Sequence, residues 1–268
     1  MRLLINKIFI LLSTFTGLLG LFFLGWILVT LVGKGSESLT PYIFTHDLVE
    51  NGIRNLIWGQ FVIAGLATLF GIPIGVLAGI YLQEYGNHTK FADFIRDLSD
   101  VMMSAPSIVI GTFIYAIMVI PMGHTFGWAG VGALFVMMLP IVVRTTDDML
   151  SLVPTELREA GMAIGASKYH VTMHIIIRAA KVGIMTGLIL AFARVVGETA
   201  PLLYTSGSTI YMETNLNETY PSMTVSIYNL ATMPDAKLVS LAWAAALVLT
   251  LMVLGLNLLG RFLIKEKR

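Results

Sequence analysis

Arg194 and Glu198 stand four residues apart inside an apolar run, GLILAFARVVGETAPLLY, from Gly187 to Tyr204. That spacing puts both side chains on one face of a helix. An ionised arginine at membrane depth costs about 3 kcal/mol on insertion scales, so such a residue faces a bundle interior or a wet cavity instead of lipid. Two readings follow from the residues themselves. The pair either holds helices in register as a structural ion pair, or it supplies the fixed positive charge that a pore for an anion requires. Gly197 beside the pair and Pro201 one turn beyond weaken the backbone ladder, as is expected where a helix borders a pathway.

A second polar group lies between apolar segments, from Pro154 to Lys181, with the sequence PTELREAGMAIGASKYHVTMHIIIRAAK. Glu156, Leu157, Ala160, Ala163 and Ile164 recur at helical spacing, Gly165 interrupts, and Tyr169, Val171, Met173, Ile175 and Ile176 resume the apolar bias. This pattern predicts two short helices joined at a glycine hinge. It suits a docking element in water, or an ordinary connector between two spans.

Other chemistries find no support. The chain contains no cysteine, which removes disulfides, thiolate catalysis and cysteine-held metals. It lacks the glycine-rich G-x-x-x-x-G-K-[ST] loop, so it does not bind ATP in that way. The five histidines include one i,i+4 pair, His170 and His174, with no HExxH and no third ligand nearby in sequence. No cofactor and no metal site are expected, and no basic stripe points to nucleic acid.

The elements that position these residues are set by lipid. Of 268 residues, 56% are hydrophobic and 12% charged, where soluble domains carry about 25% charge; mean hydropathy is +0.82. Six segments are long and apolar enough to span a bilayer, which takes about 20 residues: 8–32, 55–82, 101–121, 128–143, 182–204 and 238–263. The first is expected to be a retained span, since no small-residue cleavage site follows it. In this arrangement 13 of the 17 lysines and arginines fall on one side, three on the other, and Arg194 within the membrane. The excess marks the cytoplasmic side, placing both termini and the 154–181 loop there.

The second span carries Gly59, Gly65, Gly71, Gly75 and Gly79, with Pro73 among them. Small residues allow close helix approach in lipid, and a kink at Pro73 would add freedom to move. Arg144 and Asp148 are spaced to pair at the mouth of the fourth span, as an interfacial anchor. The segment from Ser206 to Ala236 is polar and long enough to hold a short helix that receives an external partner. The sequons at Asn87 and Asn217 carry no weight, because such short patterns arise by chance.

The residues Glu159, Ala160 and Gly165, with Ile175 ten further on, resemble the EAA loop of bacterial ABC-importer permeases, E-A-A-x-x-x-G followed after nine residues by I-x-L-P. Gly161 replaces the second alanine, Ile177 the leucine and Arg178 the proline. A wider likeness covers Gly79–Gly86, MMSAPSIVIG (Met102–Gly111), LPIVVRTTDDML (Leu139–Leu150), VPTELREA (Val153–Ala160) and A-R-x-x-G-E-T-A-P-L, which stands as Ala193, Arg194, Gly197, Glu198, Thr199, Ala200, Pro201 and Leu202. The combination is similar to the A-type permease subunits of phosphate ABC importers, over roughly residues 51–203.

That resemblance implies an all-α membrane protein with six transmembrane helices, an ABC type-1 (MetI-like) permease bundle with cytoplasmic EAA coupling helices. It implies an N-terminal helix and external loop over 1–50, a permease domain over 51–264 and a cytoplasmic tail over 265–268. Implied also is a multi-pass subunit of the bacterial cytoplasmic membrane that is not itself an enzyme. Its partners would be two ATPase subunits, a second homologous permease, an extracytoplasmic phosphate-binding protein and membrane lipid. Glu159, Ala160, Gly161, Gly165 and Ala166 would couple to the ATPase, while Arg194, Glu198 and Thr199 would line the substrate path. Arg194 would give the anion a forked, charge-assisted donor. Glu198 would temper that attraction and accept a hydrogen bond from protonated phosphate. A permease for sulfate, molybdate or another oxyanion, and an ion-coupled carrier using Arg194 and Glu198, stand as alternatives.

Overall fold

A computed structural model describes residues 2–86 and 89–265, and every described element is helical. Asn87 and His88, and the tail beyond Lys265, lie outside the described residues. The order is α1 (Arg2–Glu37), α2 (Pro41–Thr45), α3 (Arg54–Ile80), α4 (Lys90–Ser104), α5 (Ser107–Ile114), α6 (Ile120–Met122), α7 (Gly127–Ser151), α8 (Thr155–Ala163), α9 (Lys168–Val171), α10 (Ile177–Val196), α11 (Ala200–Tyr204), α12 (Met223–Ala231) and α13 (Ala236–Lys265). π-helical turns over Tyr81–Tyr85, Tyr115–Val119 and Thr172–Ile176 extend α3, join α5 to α6 and join α9 to α10.

Among the described residues, five helices are long and apolar enough to cross a membrane, and a sixth span arises if α4 and Ser107–Met122 are taken together across a 102° bend. The expected straight third span from Val101 is therefore corrected. Its first residues belong to α4, an amphipathic helix capped by Thr89, whose hydroxyl accepts from the Ala92 amide at 3.2 Å. The turn falls at Ala105–Pro106, where both residues are extended, since the residue before proline is driven out of the helical region. The fourth apolar segment, short on its own, continues as a helix past Arg144 through Thr145, Thr146 and Met149 to Ser151. The fifth begins at Lys168 and stops at Val196, short of the expected Tyr204.

The centre is the packing of α3 against α7, the most extensive helix pair, with α10 laid across both. Glycines set the distance of approach. A methyl group on Gly75 would stand 2.6 Å from Val142 Cγ1, and one on Gly79 would stand 2.6 Å from Thr146 Cβ. Gly183 and Gly187 play the same part on α10 against Met149 and Thr145. Gly59 instead meets the Pro221 carbonyl, and Gly65 has nothing within 4 Å. The helix α3 continues unbroken through Pro73.

The N-terminal ends of α3 and α7 are fixed by the long loop before α12. Asn55, fully buried, donates to the carbonyls of Thr209 and Tyr211 at 3.2 Å and accepts from the Leu48 amide at 3.0 Å. The amides of Phe126, Gly127 and Trp128 donate to the carbonyls of Thr205, Glu218 and Leu216. At this same end Ser38 meets Ser240 at 2.5 Å and Lys34 lies over the Trp243 ring at 5.1 Å. The end of α1 thus joins the start of α13, and the two run antiparallel. Among the described side chains of α1, only Leu31 and Gly35 are buried.

Candidate translocation and coupling sites

The run holding Arg194 and Glu198 is a broken helix. The amides of Gly197 and Glu198 turn back to the carbonyls of Arg194 and Val195 at 3.1 and 3.3 Å, closing α10 with a tight turn before α11 starts at Ala200. Pro201 lacks an amide hydrogen and suits the first turn of α11, where none is needed. Arg194 and Glu198 consequently do not lie on one continuous helix as their spacing predicts. Arg194 sits in the last turn of α10 and Glu198 just past it, with Nε and Oε1 3.7 Å apart, an ion pair too long for a hydrogen bond.

Exposure separates the two. The Arg194 side chain is 58% exposed and that of Glu198 17%. Arg194 lines a chamber of about 120 Å³ whose other walls are Met102, Met103, Ala105, Ile110, Met137 and Ile141. The 102° bend between α4 and α5 brings Met102, Met103 and Ala105 there. Ser107, at the start of α5, lies beside the Glu198 carboxylate, and Gly111 lets α5 close on Pro201, where a methyl group would stand 2.6 Å from Cα. Among the described residues no hydrogen bond engages the Arg194 guanidinium. A largely exposed guanidinium that borders an apolar-walled chamber, with one carboxylate 3.7 Å away, is able to receive a small oxyanion. Thr199, partly buried, accepts at its carbonyl from the Leu203 amide at 3.1 Å.

At the opposite level of the bundle, α8 presents Glu159 and Ala160 to the surface, together with Leu157, Met162 and Ile164. Gly165 turns the chain at φ +86°, a conformation strained for any residue with a side chain. The following segment is no separate short helix: from Lys168 it runs through a π turn into α10. Gly161 is buried because a methyl group there would stand 2.9 Å from Val171 and Ile175. The glycine in place of the motif's second alanine lets α8 lie flat on the start of the membrane helix. Ala166, half-buried, donates its amide to the Gly161 carbonyl at 3.3 Å across the turn.

Two arginines that sequence reasoning placed only in a loop charge count fix this end. Arg158 binds both oxygens of buried Glu84, the closest contact being 2.7 Å, and donates to the Val153 and Leu150 carbonyls at 2.6 and 2.9 Å. Arg96 forks onto Asp147 at 2.8 and 3.1 Å and reaches the Leu82 carbonyl at 3.1 Å. Arg144 pairs with Asp148 at 3.2 Å and approaches Asp100 at 3.6 Å. Arg158, Glu84 and Lys168 also border a cavity of about 410 Å³ beneath α8. The His170 and His174 rings stack at 4.1 Å on the exposed face of α9 and its π turn, and among the described residues no three metal-binding side chains converge.

A broken membrane helix and a surface helix on a glycine turn are joined here through one continuous element. The profile of the family described as "Binding-protein-dependent transport system inner membrane component" matches residues 71–267. The chain belongs to this family. Among curated members, the phosphate transport system permease protein PstA of Haemophilus influenzae is 47% identical over 267 residues, covering 98% of this chain and 95% of that protein. A probable PstA of Methanocaldococcus jannaschii is 34% identical, covering 99% and 95%. In fold, the chain is similar to a bacterial alginate ABC transporter solved with its pentasaccharide-bound periplasmic protein, with TM-score 0.68, 15% identity and 91% and 89% coverage. It is likewise similar to the inward-facing MetNI methionine ABC transporter, with TM-score 0.63, 15% identity and 85% and 99% coverage. This inner-membrane permease is thus an all-helical, multi-pass member of the MetI-like fold.

Proposed function

We propose that this chain is one permease subunit of an ATP-driven importer and that its cargo is inorganic phosphate. The observation that carries the reading is the exposed guanidinium of Arg194 at a helix break, in a chamber otherwise walled by apolar side chains. The named function of relatives up to 47% identical along nearly the whole chain supports phosphate as the anion. Both termini and α8 lie in the cytoplasm in this reading, in keeping with the lysine and arginine asymmetry.

The residues divide the work. The exposed face of α8, with Glu159 and Ala160, docks on a separate ATPase, two copies of which serve a pore completed by a second, related permease. Arg158 ties α8 to the ends of α3 and α7, so a pull on α8 moves both core helices together. When ATP binding draws the two coupling helices together, the bundle opens outward and a secreted binding protein delivers its anion. Arg194 then offers a forked donor to the passing phosphate, and Glu198, with Thr199 beside it, keeps the anion from lodging. The Glu198 carboxylate also accepts a hydrogen bond from a protonated anion, which disfavours sulfate.

Reconstitution in proteoliposomes with the ATPase, the second permease and the binding protein tests the proposal. ATP-dependent uptake of radiolabelled phosphate is expected, with none when the ATPase is omitted. Uptake by this chain alone on an ion gradient overturns the importer reading in favour of a carrier. Preference for sulfate or molybdate overturns the assignment of cargo.

A further inference from the structure

Gln60, in the second turn of the apolar helix α3, is 1% exposed, and both its side-chain nitrogen and its side-chain oxygen are hydrogen-bonded. Its Nε2 donates to the Val196 carbonyl at 2.8 Å, the last helical carbonyl of α10. Its Oε1 accepts from the Met223 amide at 3.0 Å and the Ser222 hydroxyl at 3.3 Å, at the start of α12. From that same start, the Thr224 hydroxyl donates to the Glu198 carbonyl at 2.9 Å. One amide therefore satisfies a helix end that lost its partner and a helix start that never had one. In lipid, with no water to take over, those groups have few alternatives.

We propose that Gln60 is a positioning residue for transport, a two-way strut that holds the break of α10 open and so fixes where Arg194 and Glu198 stand. An apolar residue would fill the space and leave Val196 and Met223 unbonded. They would then seek each other or draw the chain back toward a continuous helix. The polarity of the amide is what the site uses: a donor toward the end of one helix, an acceptor toward the beginning of another. Gly59 next to it allows the approach, since a methyl group there would stand 2.0 Å from the Pro221 carbonyl oxygen.

The proposal rests on the importer reading only for its transport arm. The chain contains no cysteine, so Glu198→Cys gives a single thiol at the break. In membranes holding the assembled complex, its labelling rate with a membrane-impermeant thiol reagent is compared with that of the Gln60→Met, Glu198→Cys double variant. A change of about tenfold or more is expected, with equal amounts of assembled complex. Gln60→Met with Glu198 intact is expected to lower the maximal rate of phosphate uptake at least about fivefold while the affinity of the complex for its loaded binding protein is unchanged. Should Gln60→Met fail to assemble, Thr224→Val is substituted, which removes the bond to the Glu198 carbonyl and the 3.3 Å contact with the Ser222 hydroxyl but leaves the Gln60 bonds to Val196 and Met223, and a smaller change in both readouts is expected. Labelling unchanged in whichever variant assembles, or a fall in uptake that matches a fall in complex yield, overturns the proposal. Altered labelling in a complex that carries no phosphate leaves the strut intact and removes the cargo assignment.

Discussion

The Arg158 guanidinium closes on the Glu84 carboxylate, 74 residues away in the chain, through Nη2 at 2.7 Å, and the same Nη2 donates to the Leu150 carbonyl near the end of α7 while Nη1 donates to the Val153 carbonyl just past it. A surface helix is thereby bolted to two membrane helices by one side chain. Both charges are poorly exposed, at 17% and 5%, so removing one leaves the other buried and unpaired, at a cost of about 3–5 kcal/mol. Arg158→Gln is expected to lower the melting temperature of the purified complex and to uncouple ATP hydrolysis from uptake. Glu84→Gln in the same chain should recover part of the stability but not the coupling, as read by thermal unfolding and by ATP consumed per phosphate moved.

Charge reversal at the chamber should separate function from folding. The Arg194 side chain is largely exposed and its ion pair is long, so Arg194→Glu is expected to insert and assemble, as read by the yield of purified complex. Uptake is expected to disappear. Arg194→Lys keeps the charge but loses the fork, and a partial rate is expected. Normal uptake by a correctly inserted Arg194→Glu protein removes the residue from the path.

Glycine substitutions should fall into two groups. Gly79→Val drives a side chain into Thr146 and the Val143 carbonyl, 2.6 and 2.8 Å from the added Cβ, and overpacking of this kind costs about 1–3 kcal/mol. Gly65→Ala meets nothing within 4 Å and should melt with the parent. Equal behaviour of the two in thermal unfolding would show that close approach does not set the spacing of α3 and α7.

The turn at Gly165 should resist replacement for a different reason. Nothing stands within 4 Å of its added Cβ, but φ is +86°, and forcing an ordinary residue into left-handed backbone costs about 1–2 kcal/mol. Gly165→Val is expected to re-aim α8 and reduce recovery of the ATPase on affinity purification. Gly165→Asn, which tolerates positive φ better, should retain more.

Much of this arrangement is written locally in the chain. Apolar runs announce the spans, the glycine at 165 announces a turn, and Pro201 announces an interruption near Arg194. The features that escaped depend on what distant segments bring. A lone glutamine within an apolar run gives no hint that it reaches residues 136 and 163 positions away. Glu84 and Arg158, like Arg96 and Asp147, read as separate loop charges until folding joins them. The helix α4 was legible in principle, from Thr89 as a cap and the apolar recurrence of Phe91, Phe94, Ile95 and Leu98. Its fusion in sequence with the following apolar run hid the boundary that Pro106 makes.

Among its described residues, the helix α1 is buried against the remainder of the chain only in its last turns, around Leu31 and Gly35, with Ser38 just beyond. Along most of its length, then, its own bundle asks of it grease and length but not shape. Its residues should drift freely among leucine, isoleucine, phenylalanine and valine across a lineage. The glycines between α3 and α7 have no such latitude, and a comparison of substitution rates along the chain should rise sharply at its first helix.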